Sequence, residues 1–150
     1  MIRDDVKAAQ IAAMKAGDKP TVNAARLIQA AIKNRDIELR TASTTPDDDL
    51  VVTEVLQKMI KQRRESIELY RKGGREELAL AEESEVAVIE RFLPQQMSEA
   101  EATLAIDAIA TEIGASSVKD MGRVMAALKE RHAGQMDMSK ASALVKARLG

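Results

Sequence analysis

Arg91-Phe92-Leu93-Pro94-Gln95-Gln96-Met97-Ser98-Glu99-Ala100-Glu101 is the stretch that divides this chain. Upstream lies a long, charged, helix-patterned region. Pro94 has no amide proton and disfavours helical backbone at Leu93, so that region has to end here. Four residues later a new helix is announced by Ser98-x-x-Glu101, a capping box. In it the serine hydroxyl accepts from the amide at the third helical position, and the glutamate reaches back to the serine amide. A proline stop followed at once by a helix start marks a seam at residues 93 to 97. It separates an N-terminal part, 1–93, from a C-terminal part, 94–150.

Helical signals continue on both sides of the seam. Ile2 to Ala16 is amphipathic and is followed by Gly17, a natural left-handed C-terminal residue. Pro20 suits the first turn of a second helix to about Arg40, with Ala24, Leu27, Ile28, Ala31 and Ile32 on its apolar face. After a polar loop, Thr45-Pro46-Asp47-Asp48-Asp49 supplies an N-cap, a first-turn proline and acids at the positive end of the helix dipole. The third helix carries Val52, Val55, Leu56, Met59, Ile67 and Tyr70 and stops at Gly73-Gly74. A fourth, from about Arg75 to Phe92, uses Leu78, Ala81, Val88, Ile89 and Phe92. Beyond the seam, three shorter helices are expected. They bury Ala102, Ala105, Ile106 and Ile109; then Val118, Met121, Met125 and Leu128; then, after an Asp137 cap, Ala141, Leu144, Val145 and Leu149. No alternating pattern persists long enough to make a strand. The expected fold is all-α, with long antiparallel helices in residues 1–93 and a small three-helix domain in 94–150.

Composition agrees with this fold class. The 150 residues are 45% apolar and 31% charged, a globular balance. Aromatics make up only 1%, Tyr70 and Phe92, so the core has to be aliphatic, and such residues favour helix. With Cys absent, disulfides, thiol catalysis and zinc thiolates are excluded. Met1-Ile2-Arg3-Asp4-Asp5 lacks the pattern of a secretory signal, and no apolar run is long enough to span a bilayer. A soluble, cytoplasmic protein without membrane association is expected.

The net charge of −1 conceals blocks of opposite sign. Residues 57 to 75 carry seven Lys/Arg, residues 76 to 112 ten acids against Arg91 alone, and the stretch from 116 onward seven bases against three acids. Arg35, Arg63 and Glu85 fall on otherwise apolar stripes, where a charge needs a partner. An ion pair or network between helices is the favoured reading of the three, and an anion pocket is the alternative. Lys61, Arg64, Arg71 and Arg75 form an outward stripe that Glu65 and Glu68 can neutralise at helical spacing. Lys119, Arg123, Lys129, Arg131, Lys140, Lys146 and Arg148 make a C-terminal basic cluster with few acids. A cluster of this kind is either a solvated surface or a contact for a phosphate backbone. It has no aromatic platforms, so a structured RNA fits it better than a stacked single strand. His132 stands alone, and a metal site needs more than one such ligand. Ser116-Ser117-x-Lys119 lacks the glycine-rich scaffold of an amidase and reads as a helix cap through Asp120. No catalytic residue, metal or cofactor is expected.

Five stretches together resemble the YqeY-like family (GatB/YqeY). They are Ala30-Ala31-Ile32-Lys33-Asn34, Lys61-Gln62-Arg63-Arg64-Glu65-Ser66-Ile67, Gly74-Arg75-Glu76-Glu77-Leu78, Leu93-Pro94-Gln95-Gln96-Met97-Ser98, and the run from Gly114 through Met125. From about Gln96 onward the chain is similar to the tail of the tRNA amidotransferase B subunit, which engages the tRNA body away from that enzyme's active sites. The resemblance implies Lys119 and Arg123 as phosphate contacts, with Gly122 permitting close approach. Where the family usually has a basic Lys-Gly-rich turn, this chain has His132-Ala133-Gly134-Gln135-Met136-Asp137. The expected function is a non-catalytic accessory protein that binds tRNA or another structured RNA, with an amidotransferase or synthetase as a further partner and no DNA. The alternative is a component of a carbon–nitrogen ligase using glutamine as amido donor, dependent on a partner chain that carries the active site.

Overall fold

A computed structural model describes residues 1–43 and 46–150. Among these residues there is no strand, and the helices are α1 (Ile2–Ala16), α2 (Lys19–Leu39), α3 (Asp48–Lys72), α4 (Glu76–Glu90), α5 (Glu99–Ile113), α6 (Met121–Arg131) and α7 (Met138–Leu149). A single 3₁₀ turn, Val118–Asp120, leads into α6. The chain forms two compact units, Met1–Leu93 and Pro94–Gly150.

In the first unit, α1 pairs with α2 and α3 with α4, and α2 packs on both α3 and α4. Gly17, at φ 71, reverses the chain after α1. Asp18 then caps α2, its carboxylate accepting from the Thr21 amide and from the buried Thr21 hydroxyl at 2.6 Å. The third helix is capped by Asp47, which accepts from the Leu50 amide. The cap expected at Thr45 lies outside the described residues, and the cap that the structure shows stands after Pro46 rather than before it. The helix α4 tightens at its end: the amides of Arg91, Phe92 and Leu93 donate to carbonyls three residues back, which brings Phe92 and Leu93 against the core before Pro94.

The core of this unit is aliphatic, with Val6, Ala25, Ile28, Val52, Leu56, Ala79 and Ile89 essentially inaccessible. Val55 and Tyr70 are half-buried at its margin. Two helices are rotated from their expected faces. In α2 the buried set takes in Thr21, Val22 and Ala25 and leaves Leu27 44% exposed. In α4 the inward residues are Ala79, Val86, Val88 and Ile89, while Leu78 and Ala81 face outward. Alanines at both 79 and 81 made the face of α4 ambiguous, and the close approach of neighbouring helices selected the small side chain at 79.

In the second unit α5, α6 and α7 each pack on the other two. The capping box at Ser98 is fully formed, with Glu101 N to Ser98 Oγ at 3.1 Å and Ser98 N to Glu101 Oε1 at 3.2 Å. Ile106, Ile109, Val124, Leu128 and Val145 fill the core, and Met97, Met121, Met125 and Met138 pack around it. Val118 is exposed, because the 3₁₀ turn breaks the register that a continuous helix from Ser117 would have kept. Gln96 and Met97 are stitched to the α6–α7 turn: Gln96 Nε2 donates to Gly134 O at 2.6 Å and Met97 N to Gln135 O at 2.8 Å. Trimming this unit back to Gln96 removes Pro94, whose carbonyl also accepts from Gln96 Nε2.

The rotated face of α2 gives a direct test by urea unfolding. Leu56→Ala should cost about 2–5 kcal/mol, as for any large aliphatic removed from a closed core. Leu27→Ala should stay within about 0.5 kcal/mol. Comparable losses at the two positions would place Leu27 in the core after all.

Candidate nucleic-acid interface

Charge on the first unit is largely paired across the α3–α4 hairpin. Arg63, only 16% exposed, donates from Nε to Glu85 Oε2 at 2.8 Å and lies 4.0 Å from Glu82 Oε2. Its Nη1 reaches the Met59 carbonyl at 3.4 Å. Glu82 does not stand out in the sequence, although it lies on the Ala79–Val86–Ile89 stripe once that stripe is placed correctly. Arg35 stands apart from this group. It lies one turn beyond Ile32, where α2 has run past the core, and pairs with Glu38 on the surface at 2.8 Å.

Arg64 and Arg71, expected to be balanced from within α3, reach instead to α4. Arg64 meets Glu90 at 2.7 Å, and Arg71 meets Glu76 and Glu83. Only Lys72–Glu68 uses helical spacing inside α3. A third cluster carries no sequence signal of its own. Arg3 Nη1 and Nη2 grip both oxygens of Asp36, at 2.6 and 2.9 Å, and Nη2 also meets Asp48 Oδ1 at 2.8 Å. These hydrogen bonds hold the Asp36 carboxyl below its ordinary range and push the Arg3 guanidinium further up.

In the second unit the arginines and lysines of the basic cluster part company. Arg131 pairs bidentately with Glu112, and the guanidinium holds that carboxyl below the usual range. Arg148 Nε donates to Asp107 at 2.6 Å. Arg123 donates to the Ile113 carbonyl at 3.0 Å, closing the end of α5, and to Asp120 at 3.3 Å. Asp120 accepts from the Ser116 amide at 3.1 Å, and this bond first of all lowers its carboxyl. Asp120 thus reaches back one residue beyond the Ser117 cap position, and Ser117's own hydroxyl makes no capping bond. His132 Nδ1 lies 3.0 Å from Gln135 Oε1 inside the α6–α7 turn.

Lys119, Lys129, Lys140 and Lys146 are exposed, and no carboxylate lies within ion-pair distance of any of them among the described residues. They do not share one face. Lys140 and Lys146, six residues apart, splay by about 120° around α7. On α6, Gly122 and Lys129 lie seven residues apart and so share a face. A Cβ added at Gly122 would meet nothing within 4 Å. No packing inside the protein therefore requires a glycine there. Among the described residues no group of His, Asp or Glu side chains could hold a metal ion, and no helix is long and apolar enough to cross a membrane.

A four-helix unit followed by a three-helix unit, with unpaired lysines on the second, defines the class of protein: all-α, with two compact bodies in one chain. The sequence model described as "Yqey-like protein" matches residues 2–149, and the chain belongs to that family. Among curated proteins, it is 31% identical over 118 residues to "Altered inheritance of mitochondria protein 41, mitochondrial" of Lachancea thermotolerans, covering 77% of this chain and 59% of that one. The Saccharomyces cerevisiae protein of the same name is 27% identical over 125 residues, 79% of this chain and 64% of its own length. An uncharacterised Schizosaccharomyces pombe protein is 42% identical over 64 residues, 42% of this chain and 52% of that relative. The chain thus spans between about half and two-thirds of the curated relatives it matches.

Two measurements test these ion pairs. A double-mutant cycle on Arg63→Met and Glu85→Gln should return a coupling of about 0.5–3 kcal/mol, against at most about 0.5 kcal/mol for Arg35→Ala with Glu38→Ala. Equal couplings would remove the distinction between the two sites. Acid unfolding reads the Asp36 site. Its folded carboxyl titrates below the ordinary 3.8, so its contribution is complete above that pH. Below it the unfolded chain takes up the proton first, and the contribution fades until folded Asp36 protonates as well. Asp36→Asn should therefore lower stability at neutral pH and flatten the acid limb below pH 3.8; an unchanged limb would contradict the assignment.

Proposed function

We propose that this protein is a non-catalytic accessory module that binds a structured RNA of tRNA type through its C-terminal unit. The observation that carries this reading is the separation of charges there. The acids of α5 and the 3₁₀ turn neutralise the arginines, while Lys119, Lys129, Lys140 and Lys146 stay exposed without a carboxylate. Unpaired exposed lysines cost little to bring to phosphates, and each phosphate they neutralise releases counterions. Gly122 adds support, since its missing side chain serves no internal packing and lies on the same face as Lys129. The likeness of this unit to an amidotransferase tail points to tRNA as the RNA, and to an amidotransferase or synthetase as a companion. The absence of Cys fits a reducing compartment, and the cytoplasm is the proposed one; the mitochondrial names of two relatives make the mitochondrion the competing location.

Electrophoretic titration of the full chain with total tRNA across a salt series tests the reading. Binding should weaken steeply with salt. Lys119→Glu with Lys129→Glu should cost at least about tenfold and shallow the salt slope by about one for each phosphate left without its lysine. Gly122→Ala, harmless to packing, should weaken binding without lowering the melting temperature. No shift at low salt, or binding indifferent to the two lysines, would refute RNA binding through these lysines of the C-terminal unit. Glutamine-dependent amidation of a misacylated tRNA, appearing only when a partner chain is added, would instead support the ligase-component reading.

A further inference from the structure

The first unit carries a basic feature that neither its core nor its ion pairs use. Lys19, Arg26, Lys33 and Arg40 recur at seven-residue intervals along α2 and its C-cap, and all four are exposed. Seven residues fall short of two full turns by about 20°, so the four bases stay within an arc of about 60°. They extend over about 31 Å of helix, close to one turn of a nucleic-acid duplex. Between them on the same line stand Asn23, Ala30 and Ile37, also exposed.

What sets this stripe apart is the fate of nearby acids. The two acids of α2 are both engaged elsewhere: Asp36 by Arg3 at 2.6 and 2.9 Å, and Glu38 by Arg35 at 2.8 Å. No ion pair is formed by Lys19, Arg26, Lys33 or Arg40 among the described residues. On α3, by contrast, Arg63, Arg64 and Arg71 all meet carboxylates of α4. Asp4 and Asp5, exposed in the first turn of α1, stand toward the Arg40 end, because Arg3 of that turn reaches Asp36. Arg26 and Lys33 are therefore the centre of the positive field.

We infer that this α2 stripe is a second phosphate-backbone contact, used by the same structured RNA that the C-terminal unit engages. The inference rests on the RNA-binding reading above and adds the N-terminal unit to it. A repeating polyanion suits a straight row of evenly spaced bases with no pocket among them. An anionic lipid surface suits it less well, because membrane-lying helices bury a continuous apolar face, and here Leu27 and Ile37 are isolated large apolar residues ten positions apart. Asn23 offers a neutral hydrogen-bonding group of the kind that contacts sugar and phosphate.

The test uses the full chain and total tRNA over a salt series. Arg26→Gln with Lys33→Gln should weaken binding by about tenfold or more and lower the salt slope by about one to two, whereas Arg26→Lys with Lys33→Arg should keep both near wild type. Unchanged circular dichroism and melting of the variants would show that these surface changes leave the fold alone. If the wild-type chain binds tRNA and the Gln pair binds as well as wild type, the α2 contact is refuted while the C-terminal reading survives. If the wild-type chain binds no tRNA, both fall together. Binding to phosphatidylserine vesicles that the Gln pair abolishes, with tRNA affinity unaltered, would reassign the stripe to a membrane surface.

Discussion

Pairing between arginines and the acidic block from 76 to 112 governs which positive charges this protein presents. The early acids of that block lie on α4 and meet Arg63, Arg64 and Arg71 of α3; the last two, Asp107 and Glu112, meet Arg148 and Arg131. Exposed pairs of this kind contribute little to stability, so their importance lies elsewhere. They remove these five arginines from the available surface and leave most lysines, the α2 bases, Arg75 and Arg91 as exposed charge without an ion pair among the described residues. Arg63 is the exception, since its low exposure makes its carboxylates necessary to the hairpin.

Stability comes from two aliphatic cores that share no aromatic centre. Ile28, Leu56 and Ile89 close the first, and Ile106, Ile109 and Leu128 the second. With only Tyr70 and Phe92 to fill volume, and both at the margin of the first core, helices have to approach closely, and alanines at Ala24, Ala25, Ala79, Ala102, Ala110 and Ala141 allow it. The seam between the units is itself built from these demands. Phe92 and Leu93 finish the first core, and the backbone of Met97, four residues on, is already hydrogen-bonded into the second unit.

The all-α fold follows from caps, glycines and helical periodicity along the chain, whereas membership of the YqeY-like family rests on particular stretches of sequence matched over residues 2–149. The candidate interface was less legible. A basic cluster read as one group separated into paired arginines and unpaired lysines: Asp120 next to α6 meets Arg123, and the acids of α5 meet Arg131 and Arg148, up to 41 residues away in sequence. Arg35 and Arg63 looked equivalent on their helical wheels, yet only Arg63 of the two turns toward a neighbouring helix, while Arg35 pairs with Glu38 of its own.

Except at α6, whose start a 3₁₀ turn delays to Met121, local sequence set where helices start and stop, since side-chain caps, prolines and glycines act on neighbouring residues through local hydrogen bonds and backbone geometry. It determined too that the cores are aliphatic, because the chain has almost no rings to bury. Tertiary structure alone decided which face of α2 and α4 turns inward, and which carboxylate each arginine meets. Those choices depend on the approach of one helix to another, and an alanine-rich helix offers several faces small enough to be chosen.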